Sequence, residues 1–345
     1  MDVRNGLSYG DVLLVPQRSS VDSRSDVDLS THLTDDIPLD APMLSAPMDT
    51  VTEAESAIAL SRVGGFGTIH RFVTVEEQAR HVERVVGAGQ RVGAAVGIDE
   101  DYLERTEALL EARADCIVLD VAHGHMERAL DAVARLDREF DVPLVAGNVA
   151  TAAGATDLVA AGADCVKVGI GPGSHCTTRK VAGAGVPQLT AVEDCADAAH
   201  AHGGRVIADG GIRSSGDAVK ALMAGADTVM LGGFFAGTAE APGDVVDVGG
   251  ERFKRSRGMA STEANDARSD KNLAPDAAEG VEGLTPYRGP LADVTEEFLA
   301  GVRSGLSYCG GHTIGAARRN AEFVTVGAGA REREGAHSIR ADVDR

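Results

Sequence analysis

The chain has 345 residues, 43% of them hydrophobic and only 3% aromatic, with 42 glycines. That is ample material for a large core, and the length suits two or three ordinary domains or one long α/β barrel. A formal net charge of −20, spread along the whole chain, argues against nucleic acid and anionic membrane as partners, because both need basic patches. Only five of the 33 basic residues are Lys. Carboxylate-rich, Lys-poor surfaces keep a protein hydrated, so adaptation to a high-salt cytoplasm is expected. Cys116, Cys165, Cys176, Cys195 and Cys309 form no Cys-x-x-Cys pair, and zinc-site spacing is absent. There is no signal-peptide pattern and no apolar run of about 18 residues, so a cytoplasmic location is expected.

In chain order, eight short apolar runs recur. They are 42–48, 66–70, 92–97, 116–120, 143–148, 165–170, 205–212 and 228–233. Near-continuous apolar runs suit parallel strands buried on both faces. Amphipathic stretches lie between them, over 102–113, 126–140, 152–161, 191–202 and 215–224, with Thr151 and Ser215 as candidate caps. Eight βα units predict an α/β fold of the TIM (β/α)8 barrel type. A doubly wound sheet is the competing fold, but no Gly-x-Gly-x-x-Gly follows the first strand. The whole chain is expected to be one barrel domain. The stretch 249–289 breaks the βα rhythm and is predicted to be a loop-like flap. A helix over 291–306 would close the barrel, and a polar tail follows at 327–345.

Each run ends in a polar or glycine-rich signature, and in a barrel these ends converge on one face. The most informative is Gly169-Ile170-Gly171-Pro172-Gly173-Ser174-His175-Cys176-Thr177-Thr178-Arg179-Lys180. Its glycines can bend tightly and cradle an anion, and its thiol is a candidate nucleophile in the active-site loop 171–187. The other four cysteines sit in apolar or helical patterns and are expected in the core. Asp209-Gly210-Gly211 and Gly232-Gly233 follow the seventh and eighth runs, where barrels of this type hold phosphate. His123 and His125 are taken as ordinary loop residues. His175, beside Cys176, is given no role as a base.

These motifs resemble the family of IMP dehydrogenases and GMP reductases over nearly the whole chain. The resemblance rests on Tyr9–Pro16, Ser45–Thr52, Leu119–His125, Ala146–Val149, the Cys176 loop, Asp209–Gly211, Arg257–Met259 and Tyr308–Gly310. Many members carry a regulatory CBS insert after the second βα unit. Here Glu77–Arg91 runs directly into Val92, so no CBS domain is expected. The resemblance implies that Cys176 attacks the purine C2 position and that hydride passes between that carbon and a nicotinamide cofactor. It implies 5′-phosphate contacts from Ser174, Gly211, Gly232 and Gly233, and ribose contacts from Asp209. Gly258, Met259 and Glu279 would hold the substrate, with Met259 and Glu279 at the base. Asp120 and Asn148 would lie on the cofactor side. Carbonyls of Gly171, Gly173 and Cys176 would bind K+, and the assembly would be a homotetramer.

Within the family, dehydrogenases activate water with a flap Arg-Tyr pair, whereas reductases use a Thr-Glu pair. Here Ser269-Asp270-Lys271-Asn272 stands where the Arg-Tyr pair belongs. Thr178 matches the reductase threonine, and Glu263 lies one residue from the reductase glutamate. Glu279–Gly283, Arg303–Gly310 and Val326–Glu332 resemble the dehydrogenases instead. The expectation is a GMP reductase with Cys176, Thr178 and Glu263 as catalytic residues, using NADPH to convert GMP to IMP and ammonia. The alternative is an NAD-dependent IMP dehydrogenase. Two further alternatives are another barrel enzyme acting on a sugar phosphate or flavin, and an inactive nucleotide-binding regulator.

Overall fold

The computed structural model describes residues 3–99, 101–267, 278–327 and 329. Eight parallel strands close into a barrel in chain order: β1 (Met43–Ser45), β2 (Phe66–Ile69), β3 (Val92–Val96), β4 (Cys116–Asp120), β5 (Leu144–Val149), β6 (Cys165–Val168), β7 (Arg205–Asp209) and β8 (Thr228–Leu231). Every residue of β1, β2, β3, β6 and β8 is buried. This is why these strands appear as unbroken apolar runs rather than alternating ones. Eight helices surround them: α1 (Ala54–Arg62), α2 (Val75–Gly87), α3 (Tyr102–Glu111), α4 (Glu127–Glu139), α5 (Ala152–Ala160), α6 (Gln188–Ala201), α7 (Ser215–Met223) and α8 (Leu291–Tyr308). In α4, Ala129, Ala132, Val133 and Leu136 face inward, the stripe that a 3.6-residue period dictates. Thr151 caps α5 by accepting the Gly154 N–H at 3.2 Å. The cap of α7 is Ser214, not the expected Ser215, and it accepts the Asp217 N–H at 3.3 Å.

The core has two compartments. One lies between barrel and helices; the other fills the barrel interior with Leu44, Phe66, Val118, Val145, Ile207 and Met230. An antiparallel hairpin, Thr31–Thr34 with Ile37–Leu39, packs Leu33, Ile37 and Leu39 against that interior cluster. At the N-terminal ends of the strands, Asp115, Asp164 and Asp227 accept the backbone N–H of Val92, Leu144 and Val206 at 2.7, 2.7 and 2.9 Å. Each carboxylate thus fastens its own strand to the preceding strand of the pair. Cys116, Cys165, Cys195 and Cys309 are buried, as expected.

The stretch 249–289 differs from the loop predicted. Strands β9 (Val245–Val248), β10 (Glu251–Arg257) and β11 (Glu282–Pro286) form an antiparallel sheet between β8 and α8. Its middle strand turns Lys254 and Ser256 inward, so no hydrophobic alternation marks it. The Lys254 ammonium is held by the carbonyls of Thr238 at 3.1 Å, Ala239 at 3.2 Å, and Ala241. Residues 269–272 and the tail from 330 lie outside the described residues. Among the described residues, no helix is long and apolar enough to cross a membrane.

Candidate active site

A cavity of about 1290 Å³ opens at the C-terminal ends of the barrel strands. This exceeds the roughly 300–1,000 Å³ usual for one small ligand and leaves room for two side by side. Of the sequence-predicted residues, Cys176, Thr178, Ser174, Asp209, Gly211, Gly232, Gly233, Gly258, Met259, Glu279, Asp120, Asn148, Gly171 and Gly173 all line it. Glu263 does not.

The Cys176 loop leaves β6 and folds against the flap. Cys176 N–H closes a turn onto the Gly173 carbonyl at 3.1 Å. Two further backbone bonds, Thr177 N–H to Glu279 O at 2.8 Å and Val281 N–H to His175 O at 3.0 Å, pair the loop with residues 279–281. This antiparallel bridge brings Glu279 to the cysteine. Thr178 Oγ1 donates to Glu279 Oε2 at 2.7 Å, and its oxygen lies 3.1 Å from Cys176 Sγ. Because the hydroxyl proton is given to Glu279, the thiol is the donor in the second contact. The result is a continuous path for a proton from Sγ to a carboxylate.

Glu263, expected to partner Thr178, is on the outer face of the short helix Thr262–Ala267. Ser261 caps that helix by accepting the Ala264 N–H at 3.1 Å, and buried Ala264 faces inward. Glu263 therefore points outward, and its carbonyl accepts from Arg257 Nη1 at 3.2 Å. The carboxylate that meets Thr178 is Glu279.

Deeper in the barrel lies a group that the sequence reading missed. Lys167, in the middle of β6 and only 2% exposed, reaches Asp120 Oδ1 at 2.7 Å and Asp209 Oδ2 at 2.8 Å, and also bonds Asn148 Oδ1. Asn148 Nδ2 in turn donates to Asp209 Oδ2 at 2.9 Å. Burial alone would lower the Lys167 pKa, but the two carboxylates outweigh it and hold the ammonium above its usual value. Asp209 is thereby fixed through one oxygen, with the other left for a ligand hydroxyl. The sign in the sequence was a lone charge inside an apolar strand run.

On the opposite side of the loop, Gly210 and Gly211 adopt φ of +85° and +78°, the left-handed region that favours glycine. A Cβ on Gly233 would stand 2.6 Å from Ser174 Oγ, so a side chain there would displace the Ser174 hydroxyl from its present position. These turns form a backbone-lined concavity suited to an anion. The remaining part of the cavity, at the ends of β2 to β4, is walled by Phe72, Ile98, Asp120 and Arg128. An aromatic ring, an aliphatic wall, a carboxylate and a guanidinium suit a second ligand with a flat ring, a hydroxylated sugar and phosphates.

Residues 6–337 match the family model described as the IMP dehydrogenase / GMP reductase domain. The chain belongs to this family. It is 38% identical to an inosine-5′-monophosphate dehydrogenase of Nitrosopumilus maritimus, covering 94% of this chain and 96% of that protein. It is 36% identical to a GMP reductase of Leishmania donovani, covering 97% of each. Among solved structures, it matches a GMP reductase from Trypanosoma brucei in complex with guanosine 5′-monophosphate. That match has a TM-score of 0.93 and 31% identity, and covers 98% of this chain and 99% of the other. The family is one of oxidoreductases of purine metabolism. Both activities occur among relatives of similar identity.

Proposed function

We propose that this protein is a GMP reductase, forming IMP and ammonia through a covalent adduct between Cys176 and the purine C2. The observation that carries the reading is the Cys176–Thr178–Glu279 relay. As Sγ bonds to C2, the thiol proton passes through Thr178 to Glu279. It then returns along the same path to the 2-amino group, which departs as ammonia and leaves a thioimidate. NADPH, when bound, supplies hydride to C2. Cys176 then leaves as thiolate and regains its proton through the same relay, recharged by one proton taken up from solvent. Ser174, Gly211, Gly232 and Gly233 would hold the 5′-phosphate, Asp209 the ribose, and Gly258 and Met259 the base. Asp120 and Arg128 would face the cofactor, which the size of the cavity accommodates.

The Gly171, Gly173 and Cys176 carbonyls offer neutral oxygens from a single turn, the donor type for a weakly held K+ rather than a transition metal. A homotetramer and a cytoplasmic location complete the proposal. Supporting the reductase reading, the sequence has no counterpart of the Arg-Tyr pair that activates water in the dehydrogenases. The reading as an IMP dehydrogenase is favoured by the dehydrogenase-like segment Glu279–Gly283, and the same relay could draw a proton from water.

A paired assay in high potassium separates the two. GMP with NADPH is expected to give loss of the 340-nm absorbance of NADPH (roughly its usual maximum) and stoichiometric ammonia. Production of NADH from IMP and NAD, with no reaction of GMP, would reverse the assignment.

A further inference from the structure

His175 is a residue of the loop that the proposed chemistry leaves unused. Its ring is partly buried between the Cys176 turn and the flap sheet. Both ring nitrogens meet hydroxyls. Nδ1 lies 3.1 Å from Ser174 Oγ, and Nε2 lies 2.8 Å from Ser256 Oγ on β10. Ser256 Oγ continues to Thr285 Oγ1 on β11 at 2.6 Å. The ring also stands over the β8 turn, where a Cβ on Gly233 would be 3.6 Å from His175 Cε1 and 2.6 Å from Ser174 Oγ. Ser174, His175 and Gly233 therefore converge at one point of the cavity wall.

A neutral imidazole has one donor and one acceptor, and a serine hydroxyl has one proton. If Nδ1 accepts, the Ser174 proton is spent on the ring and only lone pairs face the cavity. If Nδ1–H donates, Ser174 accepts from the ring and its own proton is free to point outward. Nε2 then accepts from Ser256, which can accept in turn from Thr285. A phosphate offers acceptors only, so it is compatible with the second arrangement and opposed by the first.

We propose that His175 is a positioning residue for the nucleotide phosphate: held by Ser256 and Thr285 of the flap sheet, it turns the Ser174 hydroxyl into a donor toward the 5′-phosphate. The inference rests on the functional reading above and adds to it a specificity element built from the flap sheet.

The test is calorimetric binding of GMP, IMP and guanosine to the full-length wild type and to His175→Ala, His175→Asn and His175→Gln. Asn reproduces the position of Nδ1 and Gln that of Nε2. His175→Ala is expected to weaken GMP and IMP roughly tenfold, the worth of a hydrogen bond to a charged group. Guanosine, which lacks the phosphate, should be unaffected. Asn should restore most of the nucleotide affinity and Gln should not. A Ser174→Ala/His175→Ala double variant should bind no more weakly than Ser174→Ala alone, because the ring acts through the hydroxyl. Unchanged GMP affinity in His175→Ala, an equal loss for guanosine, or additive losses in the double variant would overturn the inference while leaving the enzyme's assignment intact. Both nucleotides carry the phosphate, so the result does not depend on which reaction follows. Wild-type protein that binds neither would overturn the functional reading and this inference with it.

Discussion

At the scale of single residues, the decisive contact is Thr178 Oγ1 to Glu279 Oε2. A threonine hydroxyl is too weak a base to hold a proton by itself, so it can only pass one to a group that can, and here that group is a half-buried carboxylate. Removing the acceptor charge with Glu279→Gln should lower kcat about 100-fold, the size of a lost general acid–base. Glu263→Gln should leave kcat near that of the wild type, because Glu263 faces outward. Steady-state rates of the two variants, measured side by side, check this. Equal losses, or a loss confined to Glu263→Gln, would mean that the helix Thr262–Ala267 turns its outer face inward during turnover. Lys167 acts on the same scale but in a different way. Its single positive charge lies between Asp120 and Asp209 and reduces their mutual repulsion, so that two carboxylates can share the floor of the cavity.

At the scale of elements, the strands of the barrel were legible because burial on both faces leaves the same apolar run at every turn of the repeat. The flap sheet was not, since its inward positions are Lys254 and Ser256 and carry no hydrophobic signal. The partner of Thr178 was hidden for a related reason. Glu279 is 101 residues away, and only the backbone bridge between Cys176 and Gly280 brings it near. Local spacing favoured Glu263 because sequence motifs record neighbours along the chain, not across it. One repeat was present but went unread. Gly162-Ala163-Asp164 and Gly225-Ala226-Asp227 each enter a strand through a left-handed glycine, at φ of +112° and +120°, and Arg113-Ala114-Asp115 places an arginine at φ +70° in the same position. The left-handed conformation costs a non-glycine residue about 1–2 kcal/mol, while the extra chain entropy of glycine offsets about 0.5–1 kcal/mol. Arg113 is exposed, and no hydrogen bond of its side chain is among those described. Arg113→Gly should therefore stabilise the fold by about 0.5–1 kcal/mol, seen as a rise of roughly 1–3 °C in melting temperature. An unchanged or lower melting temperature would show that the strain is already relieved by local relaxation.

At the scale of the whole molecule, charge rather than packing sets the condition for stability. The 53 acidic residues exceed the 33 basic ones by 20, so even complete pairing would leave 20 carboxylates without a cation from the chain. The surface pairs that do form, such as Arg4–Asp194 and Arg135–Glu139, are worth only about 0–1 kcal/mol each. Salt acts on both terms in opposite directions: it weakens these pairs, and it screens the repulsion among the excess carboxylates. The screening length falls from about 10 Å at 0.1 M to about 3 Å at 1 M. Repulsion acts among many more pairs than attraction does, so its relief should win. The melting temperature is expected to rise between about 0.1 M and 1 M KCl, and to rise in NaCl as well, because screening depends on ionic strength. Turnover should behave differently. If the carbonyls of Gly171, Gly173 and Cys176 hold a monovalent cation, exchanging K+ for Na+ at constant ionic strength should change kcat. A melting temperature that falls with added salt would show that the ion pairs outweigh the repulsion, and a kcat indifferent to the cation would remove the loop site.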